Sequence, residues 1–321
     1  NVALKQRGAR FQIDDGVGCE ACHGGSEDYI ATHVDPQLSR AAKLDDGLLP
    51  LDDPRQRASL CLSCHLGTAD KMATHEIMGA GHPRLSFELE TFGLLQPMHY
   101  AIDDDYRDSK WAGSSVELWA IGQVQNSRQT LLLLRDRLQT SGLFPELALF
   151  DCHACHHPMS DQRWQPSERT RLPPGAVRLN DANFAMLSIL AGLMDTQLQA
   201  GIAAAIRDLH TAAVSGASLQ PAIDGLLALV EQVDTGLAEL PLQRRTVELM
   251  DAIAAQALSG KLNDYVAAEQ AVMAIDLMLH ATGERDAYAG WLDAVYQSVA
   301  NENEFVSADF IKQMRGFQKR G

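Results

Sequence analysis

Three features are scarce in this sequence of 321 residues: long apolar runs, positive charge and, in its second half, metal-binding side chains. No stretch approaches the ~18 consecutive apolar residues of a membrane-spanning helix, so we expect no membrane span. The chain carries 27 Lys and Arg against 42 Asp and Glu, a net charge of -15. Such a surface repels nucleic acid and anionic lipid, and it favours a protein partner with a basic surface.

The cysteines and histidines are concentrated at one end of the chain. All six cysteines and nine of the eleven histidines lie in the first 160 residues. The length suffices for about two domains, and a hydrophobic content of 46% suffices for a packed core. We therefore expect a first half that carries the chemistry and a second half that does not.

The motif Cys-x-x-Cys-His occurs three times, and we call its copies the first, second and third attachment sites. The first consists of Cys19, Cys22 and His23, the second of Cys61, Cys64 and His65, and the third of Cys152, Cys155 and His156. This spacing is typical of c-type haem attachment, in which the two thiols form thioethers and the histidine becomes the proximal iron ligand. A redox disulfide or a zinc site would not require a histidine after each second cysteine. The motif predicts three covalently bound haem c groups.

The first two attachment sites belong to a repeat. "CEACHGGSEDYIATH" begins at Cys19, and "CLSCHLGTADKMATH" begins at Cys61; the copies end in His33 and His75. Ten residues of helix advance about 15 Å, too far for either histidine to curl back easily onto its own iron. We expect each to ligate a different haem, the alternative being a duplicated structural histidine.

Two further histidines are candidate distal ligands. His82 lies in "GAGHPRLSFE", where the glycines permit close approach to a flat macrocycle and the proline favours an extended loop. His99 lies in "QPMHY", also after a proline. The third site has Pro166 where the repeat has its second histidine, so its iron takes a ligand from elsewhere, with His82 and His99 leading.

Four candidate histidines compete for three distal positions, so at least one of them does not ligate. Because candidates outnumber positions, we expect two axial histidines at each iron. The remaining histidines are expected to be unligated: His153, His157, His210 and His280.

The combination of Cys-x-x-Cys-His-x-Gly-Ser, "GAGHPRLSFE" and "LFDCHACHH" resembles multihaem c-type cytochromes of the cytochrome c-554 family, over about residues 10–165. The resemblance implies closely packed haems and a distal ligand of the Gly-His-Pro type, here His82. The family's namesake binds four haems and carries electrons away from hydroxylamine oxidation, whereas this chain has three attachment motifs.

The predicted fold is mainly α: a loop-rich cytochrome domain at 1–165, a connector at 166–179 and an antiparallel helical bundle at 180–321. Ser115 is the expected cap of a helix over 115–140. A continuous helical pattern runs from Phe184 to Leu209, and further helices are expected near 218–235, 241–259, 263–281, 285–299 and 307–318. Ser218 and Ser307 are the predicted N-caps of two of these helices, and Gly260 and Gly283 the predicted stops.

The functional expectation is an electron-transfer protein. Cytochrome maturation forms thioethers in an oxidising compartment, where free thiols would otherwise pair as disulfides. The three motifs therefore favour a bacterial periplasm or another extracytoplasmic space. Two alternatives stay open: a redox enzyme acting on a small nitrogen or sulfur compound at one five-coordinate haem, and a haem subunit of a larger respiratory complex.

Overall fold

The computed structural model describes residues 7–317 apart from 10, 13, 15, 85, 96–98, 111–112, 141–145 and 157–166, so His157 and Pro166 lie outside the described residues. Helices make up 63% of the described residues, which form fourteen α-helices and no β-strand. The prediction of a mainly α chain is confirmed. The domain division and the antiparallel arrangement of the bundle stay predictions.

The first 110 residues form short helices joined by turns. The helices are α1 (Glu20–His23), α2 (Arg40–Asp45), α3 (Pro54–His65), α4 (His75–Gly79), α5 (Leu89–Leu95) and α6 (Asp104–Ser109). Side-chain caps begin four of them because Ser39, Asp53, Thr74 and Asp103 each accept a bond from a first-turn amide. The first two attachment sites fall on α1 and at the end of α3.

The helix expected at 115–140 is α7 (Ser115–Thr140). Its cap, however, is Ser114 rather than Ser115. The Ser114 hydroxyl accepts from Glu117 N at 3.2 Å, and the Glu117 carboxylate accepts from Ser114 N at 2.7 Å. This reciprocal pair is a capping box, which satisfies two amides that the helix itself leaves without acceptors.

The second half is mainly helical from Ala182 onward. It contains α8 (Ala182–Met194), α9 (Thr196–Ser215), α10 (Gln220–Leu237), α11 (Thr246–Leu258), α12 (Tyr265–Thr282), α13 (Ala289–Gln297) and α14 (Ser307–Met314). The pattern expected to be continuous from Phe184 to Leu209 breaks at Asp195, whose extended backbone and capping carboxylate begin α9.

The predicted helix boundaries are partly right. Gly260 and Gly283 have positive φ angles of 76° and 74° just beyond α11 and α12, which confirms both stops. Ser307 is instead the first residue of α14, whose cap position is Val306. The cap position of α10 is Leu219, with the Ser218 hydroxyl 3.4 Å from Gln220 N.

The buried core runs through both halves of the chain. Helix α7 packs on α3 and α5 from the first half and on α8, α10 and α12 from the second. Trp119, Val124 and Leu131 of α7 are fully buried. In the part of the chain that the structure describes, no helix is long and apolar enough to cross a bilayer. The long helix α7 thus lies between the short helices of the first half and the helices of the second half and packs against both.

A buried charge cluster joins the connector to the helices. Arg169 donates to both carboxylate oxygens of Asp181, at 2.8 and 2.7 Å, and also contacts Asp264. Arg178 donates to Asp151 at 2.6 Å, directly before the third attachment site. Burial acts to raise the pKa of Asp181, but the guanidinium of Arg169 and the hydrogen bond to His210 together outweigh burial and hold that pKa well below its usual range. The connector is therefore tied into the core by paired charges.

Candidate haem-attachment and ligand sites

Each attachment site folds as one helical turn. His23 N bonds to Cys19 O at 2.9 Å, and His156 N bonds to Cys152 O at 2.7 Å. The second site is the last turn of α3. In such a turn, residues three and four apart share a face, so both thiols and the imidazole lie on one side. This is the arrangement that a macrocycle bonded through two thioethers and one axial histidine requires.

All six cysteines that the sequence assigns to thioethers are free of disulfide bonds. Four thiols are exposed and two are half-buried: Cys19, Cys22, Cys64 and Cys155 in the first group, Cys61 and Cys152 in the second. Cys22, a residue of α1, is exposed and therefore accessible for attachment. The thioethers at all six cysteines stay a prediction. Among the described residues, no three His, Cys, Asp or Glu side chains are grouped so as to hold a metal ion. A haem iron needs only two axial ligands from the protein, since the porphyrin supplies the others.

Cys22 also lies near enough to the second site to affect its chemistry. The pKa of Cys61 is raised mainly by burial and next by the negative charge of the Cys22 thiolate. Burial, followed by the charge of Asp151, raises the pKa of Cys152 in the same way. The first and second attachment sites are therefore neighbours in the fold.

The thiol of Cys64 has the opposite shift. Burial acts to raise its pKa, but hydrogen bonds from Lys71 and Ser63 outweigh burial and lower the value. Lys71 Nζ lies 3.2 Å from Cys64 Sγ. A thiol beside a cation ionises more readily, and the thiolate is the more nucleophilic form.

A tight turn follows the second site and depends on Gly67. Its φ is 115°, and a Cβ built there would lie 2.8 Å from Lys71 O. The Gly67 carbonyl accepts from Gln129 Nε2 of α7 at 2.7 Å. This turn therefore holds both Lys71 beside Cys64 and the end of α3 against α7.

Two attachment-site histidines face candidate distal histidines. The ring centres of His23 and His99 are 5.8 Å apart, and those of His75 and His156 are 5.9 Å apart. A metal–imidazole bond of about 2 Å, with each ring centre about 1 Å behind its nitrogen, puts two trans imidazoles about 6 Å apart. Both pairs therefore have the separation that a shared iron needs, although ring contacts of this length also occur without metal.

The side chain of Glu146 connects His75 to the third site. Its Oε1 atom accepts from His75 N at 2.9 Å and from Ala148 N at 3.1 Å. Residue 148 belongs to the short 3-10 helix that leads into the third site. The sequence favoured His82 or His99 as the distal ligand of that site, whereas the histidine ring that the structure brings to His156 is that of His75.

The other two candidate ligands, His33 and His82, share a tautomer. His33 Nδ1 lies 2.8 Å from Ile30 O, and His82 Nδ1 lies 2.6 Å from Pro83 O. A carbonyl only accepts, so Nδ1 is the donor in both rings, which leaves Nε2 as the ligating nitrogen of the neutral imidazole. Metal-ligating histidines commonly have this second hydrogen bond.

The surroundings of the second site differ from those of the other two. The His65 ring stacks on Phe87 with centres 4.2 Å apart and planes 11° apart. Among the described residues, no histidine ring forms a contact pair with His65. His65 also borders a cleft lined by amides that include Asn126, Asn183 and Gln270. Burial lowers the pKa of His65, which favours the neutral, ligating form.

Exposed apolar side chains fit a large apolar cofactor in the first half. Of the sixteen large hydrophobic side chains that are exposed among the described residues, twelve lie between residues 11 and 147. Ile30, Val34 and Ile77 flank the candidate ligands His33 and His75. Bound porphyrins would remove such surface from water, which stabilises the fold by the hydrophobic effect. The residues present thus fit haem.

The histidines expected to be unligated have other surroundings. His153 is buried and stacks on Tyr265 at 5.2 Å, and His210 is buried with Nε2 3.1 Å from Asp181. His280 is exposed near the end of α12. Sequence reasoning did not single out Phe87 or Glu146, because only the packing of distant segments gives them a role.

A scan against protein-family models and searches of curated proteins and of solved structures gave no match. The resemblance to the cytochrome c-554 family stays a prediction, and the haem hypothesis depends on the three motifs and on the geometry around them.

Proposed function

We propose that this chain is an extracytoplasmic trihaem c-type cytochrome that transfers electrons between protein partners. The observation that carries the proposal is the pairing of attachment-site and distal imidazoles, at 5.8 Å for His23 and His99 and 5.9 Å for His75 and His156. Two axial histidines leave an iron no open position for substrate, which is typical of an electron carrier.

The chain's own residues hold and shield the cofactors. The cysteine thiols fix each macrocycle to one helical turn, and the histidines determine its axial field. Haem, when bound, supplies a one-electron iron couple whose potential depends on axial ligands and burial. The exposed apolar side chains of the first half would exclude water from the faces of each bound haem.

Close spacing of the second and third haems follows from one short segment. His65 belongs to the second site, and His75, ten residues later, faces His156 of the third. The same segment would therefore hold two irons, one through His65 and one through His75. This arrangement supports electron transfer between neighbouring haems.

The redox partner in this proposal has a basic surface. The net charge of -15 attracts cations, and acidic residues follow His99 in the chain: Asp103 caps α6, Asp104 and Asp105 begin it, and all three are exposed. Tyr100 and Tyr106 stack beside His99, with centres 5.4 Å apart. Electron exchange with a small basic redox protein should slow as salt increases, whereas exchange with an acidic one should not.

Mass spectrometry of the protein purified from a cytochrome-maturing host tests the proposal. We expect the added mass of three haems, and replacement of both cysteines of any one site by serine should remove one haem. A chain without added porphyrin, or one that keeps three haems after such a replacement, would contradict it.

The second candidate function is a redox enzyme that acts on a small nitrogen or sulfur compound at the second site. It is favoured by the absence of a described histidine ring in contact with His65 and by the amide-lined cleft beside it. Carbon monoxide binding to one of the three ferrous haems would support the enzyme. Fully low-spin spectra and no binding would support the carrier.

A further inference from the structure

The loop that contains His82 is held by a helix of the second half. Glu269 of α12 accepts from Arg84 Nη2 at 2.6 Å through one carboxylate oxygen and from Ser86 Oγ at 2.9 Å through the other. One carboxylate therefore fixes two positions of the loop at once. The pairs are 185 and 183 residues apart in the chain, so only the tertiary structure brings them together.

Tyr265, one turn before Glu269, adds a second hold on the same loop. The Arg84 guanidinium lies 4.9 Å from the centre of the Tyr265 ring, and Arg84 Nε lies 3.0 Å from Glu302. Both Arg84 and Glu269 are largely buried, with side chains 21% and 19% exposed. A largely buried carboxylate that accepts from two different donors fixes geometry better than an exposed ion pair does.

The same ring also contacts the third attachment site. His153, between Cys152 and Cys155, stacks on Tyr265 with planes 17° apart. The same face of α12 thus contacts both the His82 loop and the third attachment site.

Elimination leaves two candidate ligands for the second iron, and the chain position of His82 favours it over His33. His99 faces the first site and His75 faces the third, which leaves the iron at His65 to either His33 or His82. The His82 loop reaches His65 through Phe87, which stacks on it at 4.2 Å.

His33 lies instead beside the first site. Its ring contacts Tyr29, whose hydroxyl donates to the carbonyls of His23 and Gly24, each at 3.1 Å. This assignment leaves His33 as the candidate without an iron.

We propose that Glu269, supported by Tyr265, is a positioning residue that holds Arg84 and Ser86 so that His82 can ligate the iron of the second site. The inference rests on the proposed trihaem function and gives the helical second half a role in haem ligation. Partners that orient a metal ligand in this way commonly change metal affinity about 10- to 100-fold when removed.

The test compares variants in the haem-loaded full chain. His82→Ala should turn one haem of three high-spin. Glu269→Leu should let cyanide bind one haem about 10- to 100-fold faster, and Glu269→Gln, which keeps an acceptor for Ser86, should restore much of the native rate. If Glu269→Leu does not accumulate, Ser86→Ala removes one of its two loop contacts and should accelerate cyanide binding in the same direction.

The control is Asp276→Leu, on the same helix. Asp276 accepts from Arg285 at 2.6 Å and from Tyr296 at 2.9 Å. The Asp276→Leu variant therefore loses a comparable ion pair that does not contact the His82 loop. We expect lower stability and an unchanged cyanide rate in this control.

The outcomes separate the proposals. A native cyanide rate in Glu269→Leu and Ser86→Ala, with a high-spin haem in His82→Ala, would overturn the positioning role alone. Unchanged spectra in His82→Ala would overturn the ligand assignment as well. A protein without haem mass would instead contradict the proposed function.

Discussion

The imidazoles of His75 and His156 lie 5.9 Å apart, centre to centre, although about eighty residues separate them in the sequence. The carboxylate of Glu146 fixes this approach by bonding to the backbone of His75 at 2.9 Å. His75, ten residues after the second attachment site, thus faces His156 of the third. The prediction that His75 ligates a different haem from its own stays a prediction. Spectra of the haem-loaded protein test directly for the iron between them.

Replacement of either paired distal histidine should affect one haem only. We expect His75→Ala to convert the third haem to a high-spin, carbon monoxide-binding form and His99→Ala to do the same to the first. Optical and electron paramagnetic resonance spectra measure the change. His280→Ala, at an exposed histidine, is the control and should leave all three haems native. Native spectra in both distal variants would contradict the ligand assignment.

Loss of Arg169 should be strongly destabilising. Arg169→Met leaves the buried carboxylates of Asp181 and Asp264 without their main counter-charge, and such a break typically costs about 3–5 kcal/mol. Guanidinium unfolding followed by circular dichroism measures it. The matched control is Arg171→Met, whose ion pair with Glu168 is exposed and should contribute under about 1 kcal/mol. Equal effects of the two variants would contradict a structural role for the cluster.

Acid should remove the stabilisation that this cluster provides. Burial acts to raise the pKa of Asp181, but the attraction of Arg169 and the hydrogen bond to His210 together outweigh it, so the pKa is lowered in the folded chain. Its contribution is therefore present above the unfolded pKa of about 4 and is lost as pH falls below it. The free energy of unfolding of wild type should fall steeply below that pH, and Arg169→Met should show a shallower fall. Parallel curves would contradict this linkage.

Glu90 should have the opposite pH dependence. Burial, reinforced by nearby Glu88, raises its pKa from 4.5 to about 7, against a hydrogen bond from Ser115 and the charge of Arg57. A raised carboxylate pKa favours the folded state when protonated, so stability falls as pH rises from about 4.5 through 7.

The size of the Glu90 effect follows from its pKa. Since one pKa unit corresponds to about 1.4 kcal/mol, Glu90→Gln should be up to about 3 kcal/mol more stable than wild type at pH 8 and nearly equal at pH 4. Denaturant unfolding at several pH values measures the difference. Glu168→Gln, at an exposed carboxylate, should remain parallel to wild type.

Gly67→Ala should disrupt the turn after the second site. A Cβ there would meet Lys71 O at 2.8 Å in a backbone with φ of 115°, and we expect a cost of about 1–3 kcal/mol. Gly79→Ala, at a position with open space around it, is the control and should change stability by less than about 0.5 kcal/mol. Thermal unfolding of the haem-loaded protein compares them, and equal melting temperatures would contradict the steric argument.

Much of the local structure could be read from the sequence. The stops at Gly260 and Gly283 were predictable because only glycine adopts the left-handed conformation readily. The continuous helix predicted across Asp195 was wrong, since its hydrophobic period is the same on both sides of the break and only the cap marks it. Ser114 was missed as a cap because Ser115 beside it offers the same hydroxyl.

The sequence alone determined the chemistry that the chain can offer, because two thiols and an imidazole at fixed spacing share one face of any helical turn, whatever lies around it. It also determined the mainly helical class through periodicity. Only the tertiary structure decided which histidines meet, as the approach of His75 to His156 depends on how segments some eighty residues apart pack. The hold of Glu269 on the His82 loop has the same origin, since a hydrogen bond between distant segments leaves no local pattern in the chain.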